Sequence, residues 1–304
     1  MSDQTDLYSQ LDELIGFRFH VKQHHLVPQQ KLISEKGGYH QAVRKGRGME
    51  FNEVREYAAG DDVRHIDWKV SARTQTTHTK VFTEELEKPV ICLVEQTPPL
   101  FFGSQVRFKT SQALNLMAII GWTSLQQGDR FGGLVFNQFT HHWIEPRHTP
   151  KTMLQFLHQS LALQQQLNTP AALQQDLWLT HLTQLQKHLR PGTRVFLIGD
   201  FLNSSTGFIE KLAQLKKHAD INLIHVYDPL EKVLPSNGIL KITDGHTEMN
   251  LNTLDTAFKT QYQHTYEQAW QKLQQRLLPW HFPLMEVSTS QDPLKALMSQ
   301  GVIR

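Results

Sequence analysis

Residues 48–73 have the sequence GMEFNEVREYAAGDDVRHIDWKVSAR and are the most informative stretch of the chain. Acidic and basic side chains follow one another there without a helical or strand period, and Gly60 and Asp61 interrupt the segment. A charged segment with so little periodicity has to be held by specific pairs, and the planar guanidinium of arginine binds a carboxylate through two parallel bonds. We therefore predict a structural clasp of ion pairs, with Trp68 packed against a neighbouring sheet, or else a partner-binding surface. Both interpretations use the same six residues: Arg55, Asp62, Arg64, Asp67, Trp68 and Arg73.

The same stretch resembles the signature of the domain-of-unknown-function-58 family. The resemblance lies in Glu50-Phe51, Arg55-Glu56-Tyr57, Gly60-Asp61-Asp62-Val63-Arg64, Ile66-Asp67-Trp68 and Ala72-Arg73. It implies a von Willebrand factor A-like domain and association with a MoxR-type AAA+ ATPase.

Composition argues against several classes of protein. The chain has 304 residues, 39% of them hydrophobic, which is enough for a packed core. Its 31 basic and 29 acidic residues give a net charge of +2, so no overall field attracts nucleic acid or an anionic membrane. The one local exception is the basic cluster of Arg44, Lys45 and Arg47, which we interpret as a solvated loop. Cys92 is the single cysteine, so the chain can form neither an intrachain disulfide nor a thiol-based zinc site.

The expected location is the cytoplasm. The N-terminal residues are polar and acidic, unlike a signal peptide. The apolar runs are shorter than the roughly 20 residues of a spanning helix, so we expect no membrane span.

The sequence divides near residue 88. Residues 1–88 are predicted to contain an N-terminal helix and a small strand-and-loop subdomain that carries the signature. Residues 89–304 alternate apolar strands with helices, which predicts an α/β domain with a doubly wound, mostly parallel sheet. A helix over 106–127 should be largely buried, and strands at 131–136 and 140–144 should form an antiparallel hairpin at one edge because their link is short.

The family resemblance places a metal-ion-dependent adhesion site at the carboxyl ends of the strands, where ligands bind in open α/β sheets. The positions that match it are Glu95, Thr97, Thr169 and Asp200. Pro99 stands where the pattern has a hydroxyl ligand and supplies none. We therefore expect a degenerate, metal-free crevice, with weak Mg²⁺ binding as the alternative. Asp200 also has a plain structural interpretation as the cap of the next loop.

Phe101 and Phe102 follow the loop of residues 95–99, in which Pro99 replaces the hydroxyl ligand. At the rim of the crevice they would form an apolar protein-binding patch. The competing expectation is burial under the N-terminal subdomain, since most large aromatic side chains are buried.

No nucleophile elbow, phosphate loop, dinucleotide fingerprint or zinc motif is present, so we predict a protein that is not an enzyme. The first hypothesis is a protein-binding adaptor that acts with a MoxR-type AAA+ ATPase in the assembly or activation of a protein complex, its client unknown. The alternative is a divalent-metal-dependent ligand binder that uses the crevice. A third hypothesis is an accessory protein that binds nucleic acid through the basic cluster. We favour it least and do not expect nucleic acid as a partner.

Overall fold

A computed structural model of the chain describes residues 8–27, 49–84, 87–168, 176–235, 238–243 and 248–304. The helices are α1 (Leu11–His20), α2 (Trp68–Thr74), α3 (Lys109–Gln126), α4 (Pro150–Gln165), α5 (Leu177–Leu185), α6 (Thr206–Leu215), α7 (Pro229–Lys232), α8 (Thr256–Leu277) and α9 (Pro293–Ser299). The strands are β1 (Met49–Glu56), β2 (His78–Glu84), β3 (Pro89–Glu95), β4 (Arg130–Phe136), β5 (His141–Arg147), β6 (Thr193–Gly199), β7 (Ala219–Tyr227), β8 (Ile239–Thr243), β9 (Glu248–Asn252) and β10 (Leu284–Ser288).

The chain forms two compact units, one of Met1–Gln29 with Lys88–Arg304 and the other of Gln30–Glu87. This corrects the division predicted from the sequence, because α1 belongs to the larger unit and not with the signature. The indole Nε1 of Trp122 on α3 donates a hydrogen bond of 2.9 Å to the carbonyl of Leu14. Leu14 itself is fully buried in the core beside α3.

A six-stranded sheet in the order β10-β7-β6-β3-β4-β5 forms the centre of the larger unit. Neighbouring strands are parallel except for β4 and β5. The α/β class with a mostly parallel sheet is thus confirmed, as is the antiparallel hairpin at one edge. β3 is buried along its whole length because helices cover both faces of the sheet.

Two apolar cores lie on the two faces of this sheet. One contains α1, α3, α4 and α9, and the other contains α5, α6 and the last turns of α8. α3 is buried from Lys109 to Leu125, which confirms the prediction of a largely buried helix. Its neighbours α1, α4 and α9 leave it almost no face toward water. In the described ranges, no helix is both long and apolar enough to cross a bilayer.

The smaller unit has an antiparallel pair, β1 and β2, with an irregularity between Phe51 and Glu53. A 3-10 helix at Val63–His65 and α2 connect the two strands. Asp67 begins α2 as its N-cap, accepting hydrogen bonds from the backbone N–H groups of Lys69 (3.0 Å) and Val70 (3.1 Å). The Ser71 hydroxyl accepts a hydrogen bond of 2.8 Å from the backbone of His78, which ties α2 to β2.

Candidate functional site

The carboxyl ends of four adjacent strands meet at one edge of the large sheet. Glu95 is the last residue of β3, while Asp200, Asp228 and Thr289 directly follow β6, β7 and β10. Strand ends of this kind place side chains from distant parts of the sequence next to one another. We call Glu95, Lys109, Asp200, Asp228 and Glu231 the carboxyl-end centre.

Glu95 is buried and accepts three hydrogen bonds. The Thr97 hydroxyl donates to Oε1 (2.5 Å), while the Trp178 indole (3.1 Å) and the Asp200 backbone N–H (2.9 Å) donate to Oε2. Gly199 makes room for it, since a Cβ there would lie 2.3 Å from Glu95 Oε2. Burial raises the pKa of Glu95 to about 7 despite these donors.

This raised pKa predicts a pH-dependent contribution to stability. The ordinary pKa is 4.5 and the folded-state pKa about 7, so between these values the folded protein keeps a proton that the unfolded chain releases. The free energy of unfolding should therefore fall as pH rises through this window, by at most about 1.4 kcal/mol per pH unit.

Glu95→Gln should remove that contribution, because a neutral amide can keep Oε1 toward Trp178 and Asp200 and turn its N–H toward Thr97. Denaturant titrations from pH 4.5 to pH 8 should show the variant gaining on the wild type as pH rises. Glu210→Gln, at an exposed position on α6, is the control and should show no such trend. Parallel curves for wild type and Glu95→Gln would contradict the assignment.

Lys109, the first residue of α3, places a cation inside this centre. Its side chain is fully buried, and Nζ lies 2.8 Å from Asp200 Oδ2 and 2.8 Å from Glu231 Oε1. The Phe102 carbonyl accepts the Lys109 backbone N–H (2.8 Å), which fixes where the helix begins. A cation at the N-terminus of a helix is on the unfavourable end of the helix dipole, so these two carboxylates must compensate it.

The electrostatics of the centre favour charged Lys109. Burial lowers its pKa, but Asp200 and Glu231 raise it more, so the pKa lies above the ordinary value. Burial likewise acts to raise the pKa of Asp200, but Lys109 outweighs it and holds that pKa below its usual range. Burial raises the pKa of Glu231 even beside Lys109. The ammonium is thus matched chiefly by Asp200.

Asp228 connects three loops at the same edge. It is fully buried and accepts hydrogen bonds from the backbone N–H (2.9 Å) and hydroxyl (2.5 Å) of Ser104 and from the Thr289 hydroxyl (2.6 Å). It also caps α7, accepting from Leu230 N–H (3.0 Å), while Glu231 accepts from the Asp228 N–H (2.8 Å) in a capping box. Glu231 is thereby held in place beside Lys109.

His225 continues the network behind Asp200. Burial lowers its pKa to about 4, so the ring is neutral at pH 7. The backbone N–H of Phe201 donates to Nδ1 (3.4 Å), so the ring proton is on Nε2. Nε2 lies 3.5 Å from the Tyr266 hydroxyl. That hydroxyl donates to Glu286 (3.2 Å), which pairs with Lys232 (2.7 Å). His225, Tyr266, Glu286 and Lys232 thus form a chain of polar contacts behind Asp200.

The side chains present do not fit a divalent ion. Thr97 directs its hydroxyl proton at Glu95, and Asp200 has the Lys109 ammonium on Oδ2 and the Leu202 N–H (3.1 Å) on Oδ1. A hard cation needs several free oxygen ligands, and here a protein cation already holds the carboxylates. Among the described residues, no group of three or more His, Cys, Asp or Glu side chains is placed to bind a metal. Thr169, the fourth predicted ligand, lies outside the described residues.

The signature segment forms local pairs in the smaller unit. Arg55 binds Asp61 (2.7 Å), and Arg64 binds Asp62 through both Nε and Nη2, the latter at 2.8 Å. The hydrogen bonds from Arg64 lower the pKa of Asp62 to about 2. Asp67 caps α2 and lies 3.5 Å from Lys80. The Arg55–Asp61 and Arg64–Asp62 pairs are exposed and join residues only six and two positions apart. Such pairs fix the conformation of a loop but contribute little to the stability of the protein.

One of the two interpretations of the sequence had Trp68 packed against a neighbouring sheet. The structure places it in contact with solvent instead. Trp68 is 72% exposed, and Val63, five residues earlier in the signature, is 61% exposed. Arg73 is exposed as well. The basic cluster of Arg44, Lys45 and Arg47 lies outside the described part of the chain.

Phe101 and Phe102 are half-buried. The Phe101 ring packs on Phe108 (4.7 Å between centroids) and on Tyr8 (6.0 Å), both in the larger unit. Phe101 therefore packs against aromatic rings of its own unit, and its cover by the N-terminal subdomain stays a prediction.

Sequence reasoning missed Lys109, Asp228 and Glu231. A lone lysine at the start of a helix that is otherwise uncharged was one available signal. Another was Asp228-Pro229-Leu230-Glu231 directly after an apolar strand, since Asp, Pro and Glu at these spacings are typical of a helix start.

Comparison with known proteins gives a family and several relatives. The sequence profile of the family described as "Protein of unknown function DUF58" matches residues 53–274. Uncharacterized protein Rv1480 of Mycobacterium tuberculosis (strain ATCC 25618 / H37Rv) is 28% identical over 222 residues, which cover 73% of this chain and 68% of that protein. Uncharacterized protein Mb1516 of Mycobacterium bovis has the same identity and coverage. A solved structure, the conserved hypothetical protein BatB from Bacteroides thetaiotaomicron, aligns with a TM-score of 0.44 and 14% identity over 70% of this chain and 96% of that one.

Proposed function

The chain belongs to the DUF58 family, and on that premise we propose that it is a non-catalytic protein-binding adaptor with a von Willebrand factor A-like sheet. It acts in the cytoplasm with a MoxR-type AAA+ ATPase in the assembly or activation of a protein complex. The ATPase partner and the sheet type rest on the resemblance of the signature, and the cytoplasmic location rests on the composition, in which a single cysteine gives no disulfide framework.

The exposed indole of Trp68 is the observation that carries the proposal. Trp68 is 72% exposed at the start of α2, inside the segment that carries the family signature. Exposing so large an aromatic ring is costly in water, and tryptophan is enriched among the residues that dominate protein interfaces. The Asp67 cap and the Ser71–His78 bond hold its backbone, so little ordering is left to occur on binding.

The carboxyl-end centre supports a non-catalytic role. Its ammonium is engaged by two carboxylates, so Lys109 is a poor nucleophile, and Glu95 already accepts three hydrogen bonds. A catalytic base or nucleophile needs access to a substrate atom within hydrogen-bond reach. The centre instead ties the loops at the carboxyl edge together.

Trp68→Ala should reduce recovery of the ATPase by about tenfold or more, as expected for a central interface residue. The measurement is co-purification of a MoxR-type ATPase with the tagged protein under nucleotide-trapping conditions. Because the indole is exposed, the free energy of unfolding should change by only about 0.5 kcal/mol.

Trp280→Ala is the matched control, since Trp280 is 44% exposed but belongs to the larger unit. It should leave recovery unchanged. Equal loss with both variants would indicate a general effect on the protein, and full recovery with Trp68→Ala would refute the proposed surface. Failure of the wild type to recover any ATPase would refute the partner.

A further inference from the structure

α2 presents an exposed face that combines an aromatic ring with positive charge. Its exposed residues include Trp68, Lys69, Ala72 and Arg73. Residues four apart lie on the same side of a helix, so Trp68 and Ala72 form one ridge. Lys69 and Arg73 form the ridge beside it, and α2 contains no acidic residue. The indole therefore lies next to two cations on one accessible surface.

The nearby carboxylates of the signature segment are already engaged. Three aspartates each bind a cation of the same unit, in the pairs Asp61–Arg55 (2.7 Å), Asp62–Arg64 (2.8 Å) and Asp67–Lys80 (3.5 Å). Within the described part of the chain, the side chains of Lys69 and Arg73 form no ion pair or hydrogen bond, and the Trp68 indole N–H has no acceptor. The face of α2 thus offers positive charge and hydrogen-bond donors, which carboxylates complement.

We propose that this face of α2 binds an acidic surface of the partner protein. Asp or Glu carboxylates of the partner meet Lys69 and Arg73, and an apolar recess receives the Trp68 indole. The inference rests on the proposed function, which assigns the same surface to the ATPase, and it adds the chemistry that the partner must present. Charges beside a central aromatic side chain set the specificity and the rate of association more than the affinity.

Nucleic acid is the other class of macromolecule with negative charge, and the surface fits it less well. Binding through a phosphate backbone is built from several Lys or Arg contacts along the chain. α2 supplies two unpaired cations, while the side chains of Asp62 and Asp67 nearby in sequence are 37% and 15% exposed. A run of phosphates over α2 would meet these carboxylates, whereas two carboxylates of a protein can be confined to Lys69 and Arg73.

The test is the double variant Lys69→Gln/Arg73→Gln, which removes both charges and keeps Trp68. Co-purification of the MoxR-type ATPase should fall about tenfold at low salt, the combined effect of two exposed ion pairs. Recovery by the wild type should fall between about 50 and 500 mM KCl, and the variant should lose most of that dependence. Lys187→Gln/Arg190→Gln removes two exposed charges from the larger unit and should behave as the wild type.

Equal recovery of the ATPase by the wild type and Lys69→Gln/Arg73→Gln at every salt concentration would overturn the acidic partner and leave the adaptor proposal standing. If the wild type recovers no ATPase, the proposed function fails, and poly-L-glutamate and a single-stranded oligonucleotide of equal charge become the probes. Tighter binding of poly-L-glutamate than of the oligonucleotide by fluorescence anisotropy, weakened in the double variant, supports the inference. Tighter binding of the oligonucleotide, binding of neither probe, or an unchanged double variant contradicts it.

Discussion

Replacement of Lys109 by methionine should lower the free energy of unfolding of the larger unit by about 3–5 kcal/mol, the usual cost of removing one partner from a buried ion pair. Methionine fills most of the volume of the lysine stem, so the loss reports charge and not a cavity. Asp200 and Glu231 would remain without the ammonium that lies 2.8 Å from each. Denaturant titration followed by tryptophan fluorescence and circular dichroism measures the effect.

Lys232→Met is the matched control, since Lys232 pairs with Glu286 at 2.7 Å but is only partly buried. It should cost about 1 kcal/mol or less. The deficit of Lys109→Met should also shrink in acid, because without Lys109 the folded-state pKa values of Asp200 and Glu231 rise, and protonation then removes the unbalanced charge. A loss below about 1 kcal/mol, or one that does not change with pH, would contradict the role given to Lys109.

Asp228→Ala is expected to cost about 3 kcal/mol or more. The substitution leaves the N–H of Ser104, the N–H of Leu230 and the Thr289 hydroxyl without their acceptor in a buried place. Each unsatisfied buried donor costs about 1–3 kcal/mol, although the loops can relax in part. Thermal and denaturant unfolding of the purified variant measure the loss.

Asp292→Ala serves as its control, because Asp292 also caps a helix, where its side chain accepts the Lys295 N–H (2.8 Å) in an exposed setting. It should cost about 1 kcal/mol, as typical N-cap substitutions do. Equal effects from the two aspartates would mean that Asp228 is only a helix cap and does not hold the Ser104 and Thr289 loops.

The architecture of the larger unit was predictable because periodicity is local. Apolar runs such as 90–94 and 195–199 are strand-length and covered on both faces, which is typical of central parallel strands. The short link after Phe136 excluded a parallel crossover, so the edge hairpin could be predicted from spacing.

The site was less predictable because it depends on convergence between distant residues. Glu95 and Asp200 could be placed at strand ends, but nothing in the sequence shows that Lys109 reaches Asp200 from α3. Trp68 was misjudged for a different physical reason. Large aromatic side chains are usually buried, but this one is 72% exposed at the start of α2.

The central claim is that the carboxyl-end centre carries its own cation. The most direct measurement compares the free energy of unfolding of the unmodified protein in excess EDTA and in millimolar MgCl₂ at matched ionic strength. The account predicts equal values, because Lys109 already neutralises the site and a ligand stabilises a protein only if it binds the folded state. A stabilisation by Mg²⁺ that disappears in Asp200→Asn would contradict it.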